Sequence, residues 1–92
     1  MSDVFVALAH PVRRKILKLL HNGPMSAGDL AACFDLAKPT LSGHFAVLKA
    51  AGLVTAERQG TTILYRLNAS TLQEALAALM SIAGALPPAD EP

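Results

Sequence analysis

Residues 38–52, KPTLSGHFAVLKAAG, constrain this chain more than any other stretch. Leu41, Phe45 and Leu48 recur at i, i+4 and i+7, the spacing of a helix with one buried stripe. The remaining face carries Lys38, Thr40, Ser42, Gly43, His44 and Lys49. A helix that merely faces water mixes Glu with Lys, because i,i+4 ion pairs support it. No acid occurs anywhere from Leu36 to Ala56, so this face is prepared for something that repels carboxylates.

The surrounding sequence reads as further helices. Asp3 to Leu8 makes a short first helix, and HPVRRKILKLLHNG a second. Pro11 suits the first helical position, where its missing N–H costs nothing, and Gly23 with Pro24 marks the end. Val12, Ile16, Leu19 and Leu20 are the expected buried stripe, with Arg14, Lys15 and Lys18 outward. In MSAGDLAACFDL, Ser26 is an N-cap with Asp29 three residues on, and Ala27, Leu30, Ala31 and Phe34 face inward. A turn at Asp35–Ala37 leads into the acid-free helix, with Pro39 in its first turn. Gly52 closes that helix, with Leu53 as the apolar contact of the cap.

Two runs of alternating strand formers follow, around a turn at Gln59–Thr61, and predict a β-hairpin of about five residues per strand. A last helix is expected from Ser70 or Thr71 to Ala85. Leu72, Leu76, Leu79, Ala83 and Leu86 lie on one side, and Ala75, Ala78, Met80 and Ile82 extend the apolar surface nearly all round. A helix this apolar has to be covered on more than one side.

The predicted fold is mainly α with a small β-hairpin: a winged helix-turn-helix forming one domain over residues 1–86, with a disordered tail at 87–92. An α-helix fits the major groove of B-DNA, where base edges offer donors and acceptors. Short side chains at Thr40, Ser42 and Gly43 permit close approach, His44 can donate, and Lys38 and Lys49 neutralise phosphates. Arg58, Gln59, Thr61 and Thr62 at the wing tip suit the backbone or the minor groove.

Charge distribution agrees. Net charge is only +1, but residues 1–66 hold all eight Lys and Arg against four acids, and residues 67–92 hold three acids and no base. Ninety-two residues bury only about 60–65% of their unfolded surface, and 52% of the residues here are hydrophobic. A second subunit is therefore expected, with Phe5 and Leu8 packing with Leu72, Leu76, Leu79, Met80 and Ala83 across a two-fold axis.

With these residues in place, LAHPVRRKILKLL, GDLAACFDLAKPTLSGHFAVLKAAGLV and ERQGTTILYRLN resemble the ArsR/SmtB winged-helix repressors, within them the SdpR-like autorepressor subgroup. The likeness covers residues 4 to about 86. It implies a homodimeric transcriptional repressor bound to a palindromic operator in double-stranded DNA. Lys38, Pro39, Thr40, Ser42 and His44 fall on the recognition-helix positions of the family. Gly43 stands where a second histidine is frequent, His10 replaces a frequent aspartate, and Ala37 replaces a capping serine.

Metal sensing is not expected. Ser26 and Gly28 occupy the positions of the Cys-x-Cys motif of thiophilic sensors, and the last helix offers only Glu74, short of the three or four ligands zinc needs. Cys33 reads as a small, half-buried apolar residue. No nucleophile–base–acid set or Gly-rich phosphate loop points to an enzyme, and no cofactor is expected. No signal peptide or run of ~18 apolar residues is visible, so a cytoplasmic, membrane-free protein is expected. The competing reading is a protein-interaction module on the same scaffold with incidental DNA affinity. The release signal, whether an inducer in the dimer cleft, a partner protein or dilution, stays open.

Overall fold

In a computed structural model, which describes residues 2–84, the chain runs α1 (Ser2–Leu8), α2 (Pro11–Leu20), β1 (Met25–Ser26), α3 (Ala27–Ala31), α4 (Lys38–Ala50), β2 (Val54–Gln59), β3 (Thr62–Leu67) and α5 (Ala69–Ile82). The expected end of the last helix at Ala85 and the tail at 87–92 lie outside the described residues.

Several helix ends follow their local chemistry. The Ser26 hydroxyl accepts from the Asp29 N–H at 3.0 Å and opens α3. At the end of α4, Gly52 takes φ 76°. Its N–H reaches the Lys49 carbonyl, and the Leu53 N–H reaches the Leu48 carbonyl, both at 3.0 Å. This paired closure, with Leu53 fully buried behind it, is the Schellman arrangement. Gly23 adopts φ 134°, beyond the left-handed helical region expected of a cap, and lies two residues past the C-cap His21.

The wing pairs Val54 with Leu67 through Gln59 with Thr62, so each strand has six residues and the turn is only Gly60–Thr61. Gly60 supplies the positive φ, 64°, that so tight a turn requires. One strand was not legible: β1 adds Met25 and Ser26 to the other edge of β3, opposite Tyr65 and Leu64, making a sheet of order β1-β3-β2. Two residues are too few to show a period of two, and only β3's unpaired edge makes them a strand.

The core is one cluster of Val4, Ala7, Ile16, Leu17, Leu20, Leu30, Leu41, Phe45, Leu48, Leu53, Val54 and Ala75. The stripe on α2 differs from the expected one. Leu17 is buried, whereas Val12 and Leu19 are only half-buried, because α1, α4 and β3 enclose α2 from several directions. On α3 only Leu30 is buried outright, with Ala27 and Ala31 at the margin; the helix ends at Ala31, short of the expected Phe34, which lies half-buried in the turn beyond it. Cys33 is exposed, not half-buried as expected, since the chain leaves α3 just before it.

Leu48 is fully enclosed at the centre of this cluster. Leu48→Ala should lower the unfolding free energy by about 2–5 kcal/mol, read from urea denaturation followed by circular dichroism.

Candidate nucleic-acid interface

Three residues fix α4 to the body. Leu41, Phe45 and Leu48 are 3%, 7% and 0% exposed, and the Phe45 ring meets Tyr65 of β3 at 4.7 Å between centroids. Everything else on the first three turns is solvent-facing or marginal. Lys38, Pro39, Thr40, Ser42, Gly43 and Lys49 are all exposed. The acid-free face is thus a continuous outer surface of a helix whose orientation is set by packing.

The start of α4 is open. Ala37, at its N-cap, provides no side-chain acceptor, so the first-turn N–H groups gain nothing from a cap, and Lys38 stands beside them. Gly43 lies in the middle of the helix, where glycine costs stability relative to alanine. A β-carbon there would meet no atom within 4 Å, so nothing in the fold of the chain requires glycine at this position.

His44 is placed differently from its neighbours. Its ring is half-buried and leans on His10, with centroids 4.4 Å apart. Arg13 Nη1 lies 3.2 Å from His44 Nδ1. Desolvation, then the nearby His10 and the Arg13 guanidinium, hold the His44 pKa below the ordinary imidazole range, so the ring is neutral at neutral pH. His10 itself caps α2, its Nδ1 accepting from the Val12 N–H at 3.1 Å. His10 thus does the work of an N-cap residue.

The charge on α2 is more committed than its outward spacing indicates. Arg13 donates from Nε to the Ala7 carbonyl and from Nη2 to the Val6 carbonyl, at 2.8 and 3.0 Å. Arg14 donates to the Leu8 carbonyl at 2.8 Å. Lys15 reaches the Cys33 carbonyl at 2.9 Å and lies over the Phe34 ring. Two of these cations bond the last carbonyls of α1, and the third bonds a carbonyl in the turn that follows α3. Sequence reasoning missed Arg13 in this role. The signal for it is a long donor six or seven residues after the last carbonyls of a short helix.

At the wing tip Arg58, Gln59, Thr61 and Thr62 are exposed. The Gln59 amide donates to the Glu57 carboxylate at 2.9 Å, which orients it along the strand. β2 packs against α4, which ties the wing to that helix.

The residues expected at a dimer contact divide into two groups. Phe5, Leu8 and Leu72 pack at the edge of the core. Leu76, Leu79 and Met80 are 57%, 48% and 42% exposed, and Ala83 is exposed as well. Among the described residues α5 buries only Ala75 outright and packs on α1, so most of its apolar surface faces outward. Among the described residues, no three His, Cys, Asp or Glu side chains converge as a metal site requires, and no helix is long and apolar enough to cross a membrane.

The helix-turn-helix domain family matches residues 8–57, from the end of α1 into the wing. The transcriptional repressor SdpR of Bacillus subtilis is 45% identical over 76 residues, which span 83% of this chain and 84% of that protein. The crystal structure of an ArsR family transcriptional regulator superposes with a TM-score of 0.84 at 29% identity, covering 90% of this chain and 91% of that one. The transcriptional repressor BigR from Xylella fastidiosa superposes with a TM-score of 0.71 at 32% identity, covering 88% and 83%. Sequence, helix order and wing agree: this chain belongs to the ArsR/SmtB-type winged helix-turn-helix repressors and lies near SdpR among them.

Proposed function

We infer that the protein is a homodimeric, sequence-specific repressor that binds duplex DNA without a metal and acts by occupying an operator that overlaps a promoter. The observation that carries this reading is the outer face of α4: exposed, acid-free, and standing on a helix locked by three buried side chains. Thr40, Ser42 and Gly43 enter the major groove, where the hydroxyls bond to base edges and Gly43 lets the backbone approach closely. Lys38 and the uncapped N–H groups of the first turn of α4 hold a phosphate, as a helix N-terminus readily does. Pro39 starts the helix without placing bulk at that phosphate. Lys49 meets the opposite wall of the groove, and Arg58, Gln59, Thr61 and Thr62 carry the wing to the flanking backbone.

Leu76, Leu79, Met80 and Ala83 of α5, continued by Phe5, Leu8 and Leu72, form the subunit contact. Their exposure in one chain supports this, since an apolar helix side of this kind is costly in water. A two-fold dimer sets the two α4 helices about 34 Å apart and selects a palindromic operator. It also doubles the cations facing phosphate, which offsets the small net charge per chain. A repressor of this kind works in the cytoplasm, with DNA as its ligand and no reaction to catalyse.

Titration onto promoter fragments should show nanomolar binding that weakens steeply between 50 and 200 mM salt, roughly 10³-fold or more if about six phosphates are contacted. Binding that ignores both salt and sequence would sink the reading. Ser42→Ala should cost about 1–3 kcal/mol of specific affinity at unchanged stability. Gly43→Ala should move the two properties in opposite directions. Stability should rise by about 0.5–1 kcal/mol in thermal melts, because the methyl meets open space, while operator affinity falls. Leu79→Lys should leave the helical circular dichroism in place but convert the dimer to a monomer in sedimentation velocity.

A further inference from the structure

His10 caps α2, Arg13 lies in its first turn and His44 in the middle of α4, and the three meet at the border of the face described above. The guanidinium is permanently charged and has donors only. Its Nη1 contact with His44 Nδ1, at 3.2 Å, therefore requires that nitrogen to be the acceptor. A ring that accepts at Nδ1 and stays neutral carries its proton on Nε2. The other two Arg13 bonds, to Val6 and Ala7 carbonyls, hold the guanidinium from the far side, so it cannot swing away from the imidazole. The His10 ring, 4.4 Å away and tied by Nδ1 to the start of α2, closes one side of the His44 ring. His44 is thus fixed in both tautomer and tilt. It lies one helical turn beyond Thr40, at the border of the exposed face and not on its crest.

We propose that Arg13 is a positioning residue for DNA binding: it holds His44 with the Nε2–H free, and this N–H donates to a phosphate oxygen on the wall of the groove that α4 enters. The proposal rests on the DNA reading above. The border position favours a phosphate, since a half-buried ring beside the helix meets the backbone sooner than the base edges on the groove floor. Arg13 itself has three of its five N–H donors engaged within the chain, so its role is to hold the ring. Its influence passes through the imidazole.

A double-mutant cycle on the full chain tests this, using Arg13→Met, His44→Ala and the pair, with fluorescence anisotropy on the promoter fragment that the unaltered protein binds and on an unrelated duplex. His44→Ala should weaken binding to both duplexes about 5–10-fold, as loss of a phosphate contact does. Arg13→Met should weaken it about 3–10-fold in the unaltered background and hardly at all once His44 is gone. An equal loss in both backgrounds would mean that Arg13 acts only by closing α1, and the proposal fails while the DNA reading stands. So does a His44→Ala protein that binds as well as the original. If the unaltered protein binds no duplex, the DNA reading itself fails, and this inference with it. Should Arg13→Met not fold, nitrogen-15 NMR on the unaltered protein decides: the expected signal is an unprotonated Nδ1 on His44 at pH 7.5, and a proton on that nitrogen overturns the assignment.

Discussion

The whole arrangement depends on the burial of one narrow stripe, Leu41, Phe45 and Leu48, which holds α4 on the core. Removing those side chains from water is the main force that keeps the helix on the core. Because the stripe is only three residues wide, most of α4 is left outside. A reading helix needs both properties together: a fixed axis, so that side chains arrive in register with the groove, and a free face. The Schellman closure at Gly52 and Leu53 completes this by turning the chain directly into β2, so that the wing inherits the orientation of α4.

The cations show how charge in a small domain is divided between folding and binding. Arg13, Arg14 and Lys15 all sit on one helix and look like a basic surface in the sequence. Their heads also bond carbonyls at the end of α1 and just past α3, although Arg14 and Lys15 stay exposed. A short helix such as α1 has no interior to stabilise it, so the satisfaction of its last carbonyls matters more than it would in a long one. Lys18, Lys38, Lys49, Arg58 and Arg66 remain exposed as a distributed positive field. Modest net charge and affinity for a polyanion are therefore compatible, provided that two copies act together.

Much of the candidate site could be read from the chain. The acid-free face, the stripe opposite it, the Gly52 stop and the wing followed from spacing and turn chemistry, because each is encoded by residues close in sequence. The capping hydroxyl of Ser26 formed as its spacing indicated. What could not be read depended on distant partners. β1 is a strand only because Tyr65 and Leu64 lie opposite Met25 and Ser26. Leu17 is buried only because three elements close over α2. His44 looked like one more donor on the polar face, and its orientation emerged only where the α1–α2 junction meets α4.

By itself, then, the sequence determined periodicity: which stretches are helical, where α2, α3 and α4 begin, where α4 stops, and which face of α4 is free of acid. Tertiary structure alone decided how far each side chain withdraws from solvent and which donors are already engaged, as with Arg13 on the carbonyls of α1 and the half-buried ring of His44. The physical reason is range. Helix and turn preferences act over about four residues, whereas burial and hydrogen-bond satisfaction belong to groups that meet only after the chain has closed on itself.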